Sequence, residues 1–154
     1  MKTLLQQRIL TMRNNKFFSP AIALCAIALV PIGLVPSASA SPPAPVTITA
    51  VYDFSTFPNV TGTFTTSGAL TISGVSTMHV EPNINGVRAH CVVTLIPSDG
   101  SGTIIIDQQC QFASSPPKGR WEIVDGTGAY VNLNGNGSLT MPPFTEAMTG
   151  VIRQ

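Results

Sequence analysis

Apolar and polar residues alternate with a period of two along most of the chain after residue 45. In 46–54, for example, the sequence VTITAVYDF places apolar side chains at every second position. A period of two is typical of a β-strand that buries one face, and helical spacing of apolar residues nowhere extends beyond about one turn in this region. The pattern therefore predicts an all-β fold with almost no helix. The candidate strands are 46–54, 60–66, 69–73, 75–81, 86–96, 103–112, 119–125, 136–141 and 144–152.

Short polar turns separate these candidate strands. Four Asn-Gly or Asp-Gly pairs, which adopt positive φ at low cost, mark turn positions: Asn85-Gly86, Asp99-Gly100, Asp125-Gly126 and Asn134-Gly135. So many short strands in one small domain do not suit an open sheet, because its edge strands would stay exposed. We therefore predict a closed antiparallel β-barrel of about eight strands, with a β-sandwich as the alternative.

The first 40 residues follow a different pattern, which is that of a signal peptide. The segment before residue 17 contains basic residues and no acidic ones, and 17–35 is apolar and uncharged. The segment closes on Ala38-Ser39-Ala40, the small-x-small spacing that a signal peptidase recognises. We predict cleavage after Ala40, a secreted product and no stable membrane association after cleavage. The alternative is an uncleaved 17–35, which is long enough to remain as a membrane anchor.

The rest of the chain divides into a short lead and one domain. Residues 41–45 (SPPAP) contain three prolines, which lack backbone donors, so we expect this lead to stay outside the sheet. Residues 46–154 are predicted to form a single β-barrel domain. Segment 41–154 contains four Lys and Arg residues against seven Asp and Glu residues, which leaves a net charge of −3. Because the four cations are scattered along the sequence, no basic stripe indicates a nucleic-acid partner.

Two cysteines remain after the predicted cleavage, because Cys25 lies in the signal peptide. A four-residue loop at 99–102 would place Cys91 directly opposite Cys110 in one hairpin, with both side chains on the same face. An even number of cysteines in an exported chain is typical of a disulfide. We therefore predict a Cys91–Cys110 disulfide rather than a redox or nucleophilic thiol, since His90 is expected on the opposite face.

The side chains that carry catalytic chemistry are few and dispersed. His79 and His90 are the only histidines, and no spacing supplies the ligands of a metal site or a Ser-His-Asp arrangement. Among the carboxylates, Asp53 lies in the first candidate strand, and Glu122 is expected to face away from Trp121. The sequence predicts no metal, no cofactor and no identifiable catalytic residue.

Residues 121–140 (WEIVDGTGAYVNLNGNGSLT) resemble the pattern W-x-I-x-x-G-T-G-A-Y-x-x-L-x-G-x-G-x-L-T. This pattern is typical of small exported bacterial proteins that are similar to the allene oxide cyclase and dirigent barrel superfamily. The turn at 99–103 (DGSGT) and the segment 62–65 (GTFT) also resemble these proteins, so the resemblance covers most of 60–150. It implies an antiparallel barrel of about eight strands, and no catalytic residue of the superfamily matches a position here.

The motif in 121–140 has a structural interpretation. Its glycines suit a tight turn and a bend, and its apolar side chains, with Ala129 among them, suit the core. The residues assigned to this structural motif are Gly126, Gly128, Tyr130, Leu133, Gly135 and Gly137.

Three functions fit a small secreted barrel. The first is binding of a small hydrophobic or amphipathic ligand in the barrel mouth or display of loops to a partner; the second is a cyclase-like or isomerase-like enzyme acting in the cavity. The third is a structural or surface-interaction protein with a filled barrel, since eight strands enclose just enough space for side chains or one small ligand. An open lumen lined by Asp53, Glu122 or a histidine would favour the enzyme, and a lumen filled by Phe, Ile and Trp would favour the third function.

Asn59 and Asn136 also meet the acceptor rule for N-glycosylation, which applies only in a eukaryotic host.

Overall fold

The computed structural model describes residues 41–83 and 85–154. The predicted signal peptide 1–40, with Cys25 and the alternative anchor 17–35, lies outside the described residues. In the part of the chain that is described, no helix is long and apolar enough to cross a membrane.

Eight antiparallel strands form one closed barrel, in which each strand pairs with its neighbours in sequence and the last strand pairs with the first. The predicted all-β barrel is therefore confirmed, and the β-sandwich alternative is wrong. Two single-turn 3-10 helices, at Phe54–Thr56 and Gly128–Tyr130, are the only helical segments among the described residues. The strands are β1 (Ala44–Asp53), β2 (Asn59–Gly68), β3 (Ser73–Pro82), β4 (Arg88–Pro97), β5 (Ile104–Gln111), β6 (Lys118–Gly126), β7 (Asn134–Thr140) and β8 (Thr145–Arg153).

The candidate strand 69–73 is not a strand of its own: residues 69–72 connect β2 with β3, and Ser73 begins β3. The Thr66 hydroxyl donates to the Leu70 carbonyl at 2.8 Å and accepts from the Ile72 amide at 2.9 Å. These side-chain bonds take the place of ladder bonds, so the segment folds as a loop.

The last two residues of the proline-rich lead 41–45 join the barrel, contrary to the sequence prediction, whereas 41–43 precede the first strand. β1 begins at Ala44, and Pro45 pairs with Val151 of β8. Pro45 has no amide to donate, but its carbonyl accepts from the Ala69 amide at 2.8 Å. A proline is tolerated here because it lies at the start of the strand, where one missing donor breaks little of the ladder.

Two of the four predicted glycine turns form as expected, because Gly86 and Gly100 have φ angles of +63° and +72°. The Asp125-Gly126 pair instead forms the last two residues of β6, and the Asn134-Gly135 pair forms the first two residues of β7. The pairing of β5 with β6 contains an irregularity, since Ile105 pairs with Asp125 whereas Ile106 pairs with Ile123. The bulge accommodates Val124 as the extra residue of β6, and the strand then ends at Gly126.

The register of the β4–β5 hairpin differs from the prediction by two residues. Cys91 pairs with Gln108 rather than with Cys110, so the two cysteines are diagonal neighbours. The connecting loop is longer than predicted because its ends bond elsewhere: the Ser98 amide donates to Ser73 of β3, and the Thr103 amide donates to the Thr127 hydroxyl. A shift of two residues preserves the face of each side chain, and both cysteines remain buried in the barrel.

The Cys91–Cys110 disulfide stays a prediction. Both residues are thiols in the structure, with their sulfur atoms 4.0 Å apart, and a disulfide would bring them to about 2.05 Å. We expect non-reducing peptide mapping of the exported protein to recover a Cys91–Cys110 crosslink and the Cys91→Ser variant to melt at a lower temperature. The expected loss is about 3 kcal/mol, on the chain-entropy account of a loop of this size. Two alkylatable thiols in the exported protein would contradict the prediction.

The barrel interior is filled by a continuous core of large apolar side chains. Trp121 lies opposite Gly137, which in turn pairs with Gly150. A Cβ atom on Gly150 would lie 2.7 Å from the Trp121 ring, so the glycine leaves the space that the indole occupies. The indole nitrogen donates to the carbonyl oxygens of Ser138 and Thr149. The largest apolar side chains that are fully buried are Trp121, Phe64, Ile48, Leu95, Ile104, Ile106, Leu139 and Met148.

The remaining motif residues close one end of the barrel. Gly128 has a φ of +60°, and Tyr130 and Leu133 are buried. The Tyr130 hydroxyl lies 2.7 Å from the Ser101 hydroxyl, which joins the loop after β6 to the loop after β4. Ala129 is exposed, so its predicted place in the core is wrong. Its amide instead donates to the Ser101 carbonyl at 2.8 Å.

Candidate functional site

Four polar side chains project into the space that the strands enclose, which we call the lumen. Tyr52 comes from β1, Ser76 from β3, Gln108 from β5 and Glu146 from β8. Ser76, Gln108 and Glu146 are each 0% exposed and Tyr52 is 4% exposed. We call these four residues the lumen polar cluster.

Most polar atoms of the lumen polar cluster make no hydrogen bond of standard geometry among the described residues, although Tyr52 lies close enough to Ser76 and Glu146, and Gln108 to Glu146, to influence their ionisation. This holds for the Tyr52 and Ser76 hydroxyls, the Gln108 carbonyl oxygen and both carboxyl oxygens of Glu146. The Gln108 amide nitrogen donates to the sulfur of Met148 at 3.3 Å, which is a weak bond. Each unsatisfied buried polar group costs about 1–3 kcal/mol, so the cluster does not stabilise the barrel.

The environment of Glu146 alters its ionisation. Burial raises the pKa of Glu146 to about 7, although the nearby Gln108 amide and Tyr52 hydroxyl partly oppose the shift by favouring the ionised form. Burial, and then the charge of Glu146, raise the pKa of Tyr52. Tyr52 is therefore a neutral donor at neutral pH, whereas Glu146 exchanges a proton close to that pH.

Sequence reasoning did not single out Glu146, although a signal was present. Glu146 has the same parity along β8 as Met148 and Ile152, which places all three on the inner face. A carboxylate that alternates in phase with the core residues of its strand is a candidate for a buried acid with a shifted pKa.

None of the carboxylates or histidines named from the sequence lines the lumen. Asp53 is exposed and accepts from the Ser55 amide at 2.9 Å, and this bond holds the pKa of Asp53 below its usual value. Glu122 is exposed on the outer face of β6, opposite in direction to the buried Trp121, as expected from their alternation.

The two histidines lie on the outer face of the barrel, in a row of polar contacts. The His79 ring lies 2.6 Å from the Asn59 side-chain oxygen and 3.7 Å from Glu81. The His90 ring lies between Glu81, at 3.4 Å, and Asp107, at 2.6 Å. The hydrogen bond to Asp107 raises the pKa of His90. Within 41–83 and 85–154, no group of three or more His, Cys, Asp or Glu side chains is arranged to hold a metal ion.

A groove of about 790 Å³ lies beside His90, along strands β3 to β6. Arg88, Lys118 and Arg120 line it, although the sequence shows these residues as isolated cations. They converge because antiparallel pairing places Arg88 beside Gln111 and Gln111 beside Lys118. We call this feature the cationic groove. Predicting it requires the register of three strands, which the sequence does not specify.

The comparisons with known proteins found no relative. No protein-family model matches the sequence, and no curated protein or solved structure matches the chain. The resemblance of 121–140 to the allene oxide cyclase and dirigent superfamily therefore stays a prediction.

Proposed function

We propose that this protein is a non-catalytic binding protein, exported with removal of 1–40, that uses a filled barrel as a rigid scaffold and binds through its outer surface. The observation that carries the proposal is the packing of the lumen. Phe64, Ile48, Ile106 and Trp121 are each at most 2% exposed. Side chains therefore occupy the space in which a small barrel would otherwise hold a ligand.

The position of the reactive groups supports the same proposal. Asp53, Glu122, His79 and His90 point away from the lumen, so they do not share a cavity with the buried Glu146. An enzyme site of the acid–base type needs its groups around a common space that substrate can reach. In the described residues the polar side chains that water can reach lie on the outer face and in the loops.

The fluorescence of Trp121 tests whether the lumen is closed. Trp121 is the only tryptophan in the sequence and is 2% exposed, so its emission reports on the lumen. We expect a blue-shifted emission with little acrylamide quenching, and no saturable change on titration with benzene or with fatty acids of eight to sixteen carbons. The matched control is Ile106→Ala, which removes a fully buried side chain whose strand neighbours, Val93 and Ile123, are both apolar. We expect this variant to bind benzene, because an apolar cavity opened in a core stays dry and binds such ligands. Saturable binding of a fatty acid by the unaltered protein would contradict the proposal.

One observation favours a second candidate function, which is acid–base chemistry inside the lumen. The pKa of Glu146 is raised to about 7 by burial, and the neighbouring Tyr52 and Gln108 carry unsatisfied polar atoms. A ligand that satisfied these atoms would meet a proton donor with a pKa close to neutral. This function requires the barrel to open, and it predicts that Glu146→Gln abolishes ligand binding detected through Trp121.

A further inference from the structure

Three cations converge in the cationic groove. Segment 41–154 has four Lys and Arg residues, and Arg88, Lys118 and Arg120 line this one groove. All three side chains are exposed. Among the described residues, none of them has a carboxylate within 4.0 Å, because every ion pair found there involves a histidine.

The strand register sets the spacing of these cations. Arg88, Gln111 and Lys118 form one row across β4, β5 and β6, and Gln109 and Arg120 are neighbours in the adjacent row. Adjacent strands are about 4.8 Å apart, so the backbones of Arg88 and Lys118 are separated by about 10 Å. Lys118 and Arg120 lie on the same face of β6, about 7 Å apart.

One acidic residue, Glu81, lines the groove and another, Asp107, lies beside it, and both contact histidines. The two carboxyl oxygens of Glu81 face His79 and His90, and Asp107 contacts the other nitrogen of His90. Neither acid forms an ion pair with Arg88, Lys118 or Arg120 in the described part of the chain, so the donors of the three cations remain available to a ligand. Like charges at neighbouring positions of a sheet repel one another, and a bound anion would remove that repulsion.

We propose that the cationic groove binds a small anion that carries two or more phosphate or sulfate groups. Arginine forms paired hydrogen bonds with such groups, and Arg88 and Arg120 supply two guanidinium groups with the Lys118 ammonium beside them. The amides of Gln109 and Gln111 lie on the same face and add donors. A volume of about 790 Å³ suits a small molecule, and a single inorganic phosphate would not span the row. The inference rests on the proposed surface-binding function and gives it a ligand class.

Two-dimensional ¹H–¹⁵N NMR titration of the purified protein tests the proposal with two probes: tripolyphosphate and a trisulfated heparin disaccharide. We expect saturable shifts at the backbone amides of 88–90, 109–111 and 118–120 with at least one probe. Binding by only one of them identifies the ligand as a phosphate or as a sulfated sugar. Inorganic phosphate is expected to bind at least tenfold more weakly, and raising the ionic strength should weaken binding of the multivalent probe.

Single substitutions distinguish binding in the cationic groove from an effect of the protein's overall charge. We expect Arg88→Gln and Arg120→Gln each to weaken binding of the multivalent probe by about tenfold or more, since each removes a charge-assisted contact. The matched control is Arg153→Gln, which makes the same charge change in β8, outside the groove, and should alter the affinity by less than about twofold. Equal losses in Arg120→Gln and Arg153→Gln would overturn the proposal, as would the absence of saturable shifts with either probe.

Different measurements would contradict the proposal of a closed lumen and the proposal of an anion site in the groove. Entry of a fatty acid would be detected through Trp121 and would contradict the scaffold proposal, whereas loss of the anion site would be detected only at the groove amides. A saturable groove titration together with an unresponsive Trp121 supports both proposals.

Discussion

Glu146→Gln is expected to stabilise the protein by about 3 kcal/mol at pH 8 and to leave its stability nearly unchanged near pH 4. Burial raises the pKa of Glu146 from 4.5 to about 7, and each unit of pKa difference between folded and unfolded states corresponds to about 1.36 kcal/mol. The folded state therefore binds this proton more tightly than the unfolded state. The contribution of Glu146 to stability is greatest below about pH 4.5, falls as the pH rises to about 7, and stays lower above it. Glutamine has the same shape and carries no charge, so it avoids the cost of burying a carboxylate.

Urea unfolding at pH 4, 6 and 8 measures this effect, and the comparison of variant with unaltered protein isolates Glu146. Other groups titrate in the same range: the raised pKa of His90 gives a contribution that is present at low pH and lost as the pH rises through that pKa. This contribution is common to both proteins and cancels in the difference. The matched control is Glu122→Gln, because Glu122 is exposed on the outer face of β6. Parallel pH profiles for Glu146→Gln and the unaltered protein would contradict the prediction.

A stabilising Glu146→Gln change would mean that the carboxyl lowers the stability of the barrel at neutral pH. The neighbouring Tyr52 and Gln108 also keep polar atoms without partners among the described residues. Stability alone would favour apolar side chains at these positions. The lumen polar cluster is therefore where the second candidate function should be sought if the Trp121 titration shows that a ligand enters.

The strands and the barrel were predictable because they depend on local pattern. The alternation of apolar and polar residues predicts which face of the sheet each side chain lies on. This prediction holds even where the predicted strand pairing is wrong. Cys91 and Cys110 were placed two residues out of register, yet both side chains point into the barrel. The register itself depended on tertiary bonds from Ser98 to Ser73 and from Thr103 to Thr127, which no local pattern contains.

The two candidate sites differ in how far the sequence could predict them. The inward direction of Glu146 follows from its parity with Met148, so reading each carboxylate against the core pattern would have found it. The cationic groove depends on which residue of β4 pairs with which residue of β5 and β6. A register error of two residues in the β4–β5 hairpin places Arg88 opposite residue 113 instead of Gln111. Arg88 is then no longer in the same row as Lys118.

Gly128→Ala is expected to destabilise the protein by about 2–4 kcal/mol, whereas Gly100→Ala should cost only about 1 kcal/mol. Both glycines have positive φ, at +60° and +72°, so both substitutions incur the cost of a side chain in the left-handed region. The two positions differ in the space available for an added Cβ atom. A Cβ atom on Gly128 would collide with the Ser101 carbonyl oxygen and lie 3.0 Å from Gly102, whereas a Cβ atom on Gly100 meets nothing within 4 Å among the described residues. The collision adds about 1–3 kcal/mol.

The collision at Gly128 would separate two loops that close the same end of the barrel. The Ala129 amide donates to the Ser101 carbonyl at 2.8 Å, and the Tyr130 hydroxyl lies 2.7 Å from the Ser101 hydroxyl, so moving Ser101 disturbs both contacts. Each kcal/mol corresponds to a fall of about 4 °C or more in melting temperature for a domain of this size. Thermal melts of the two alanine variants should therefore differ by several degrees. Equal melting temperatures would show that backbone conformation alone sets the cost at Gly128 and that its contact with Ser101 carries no stability.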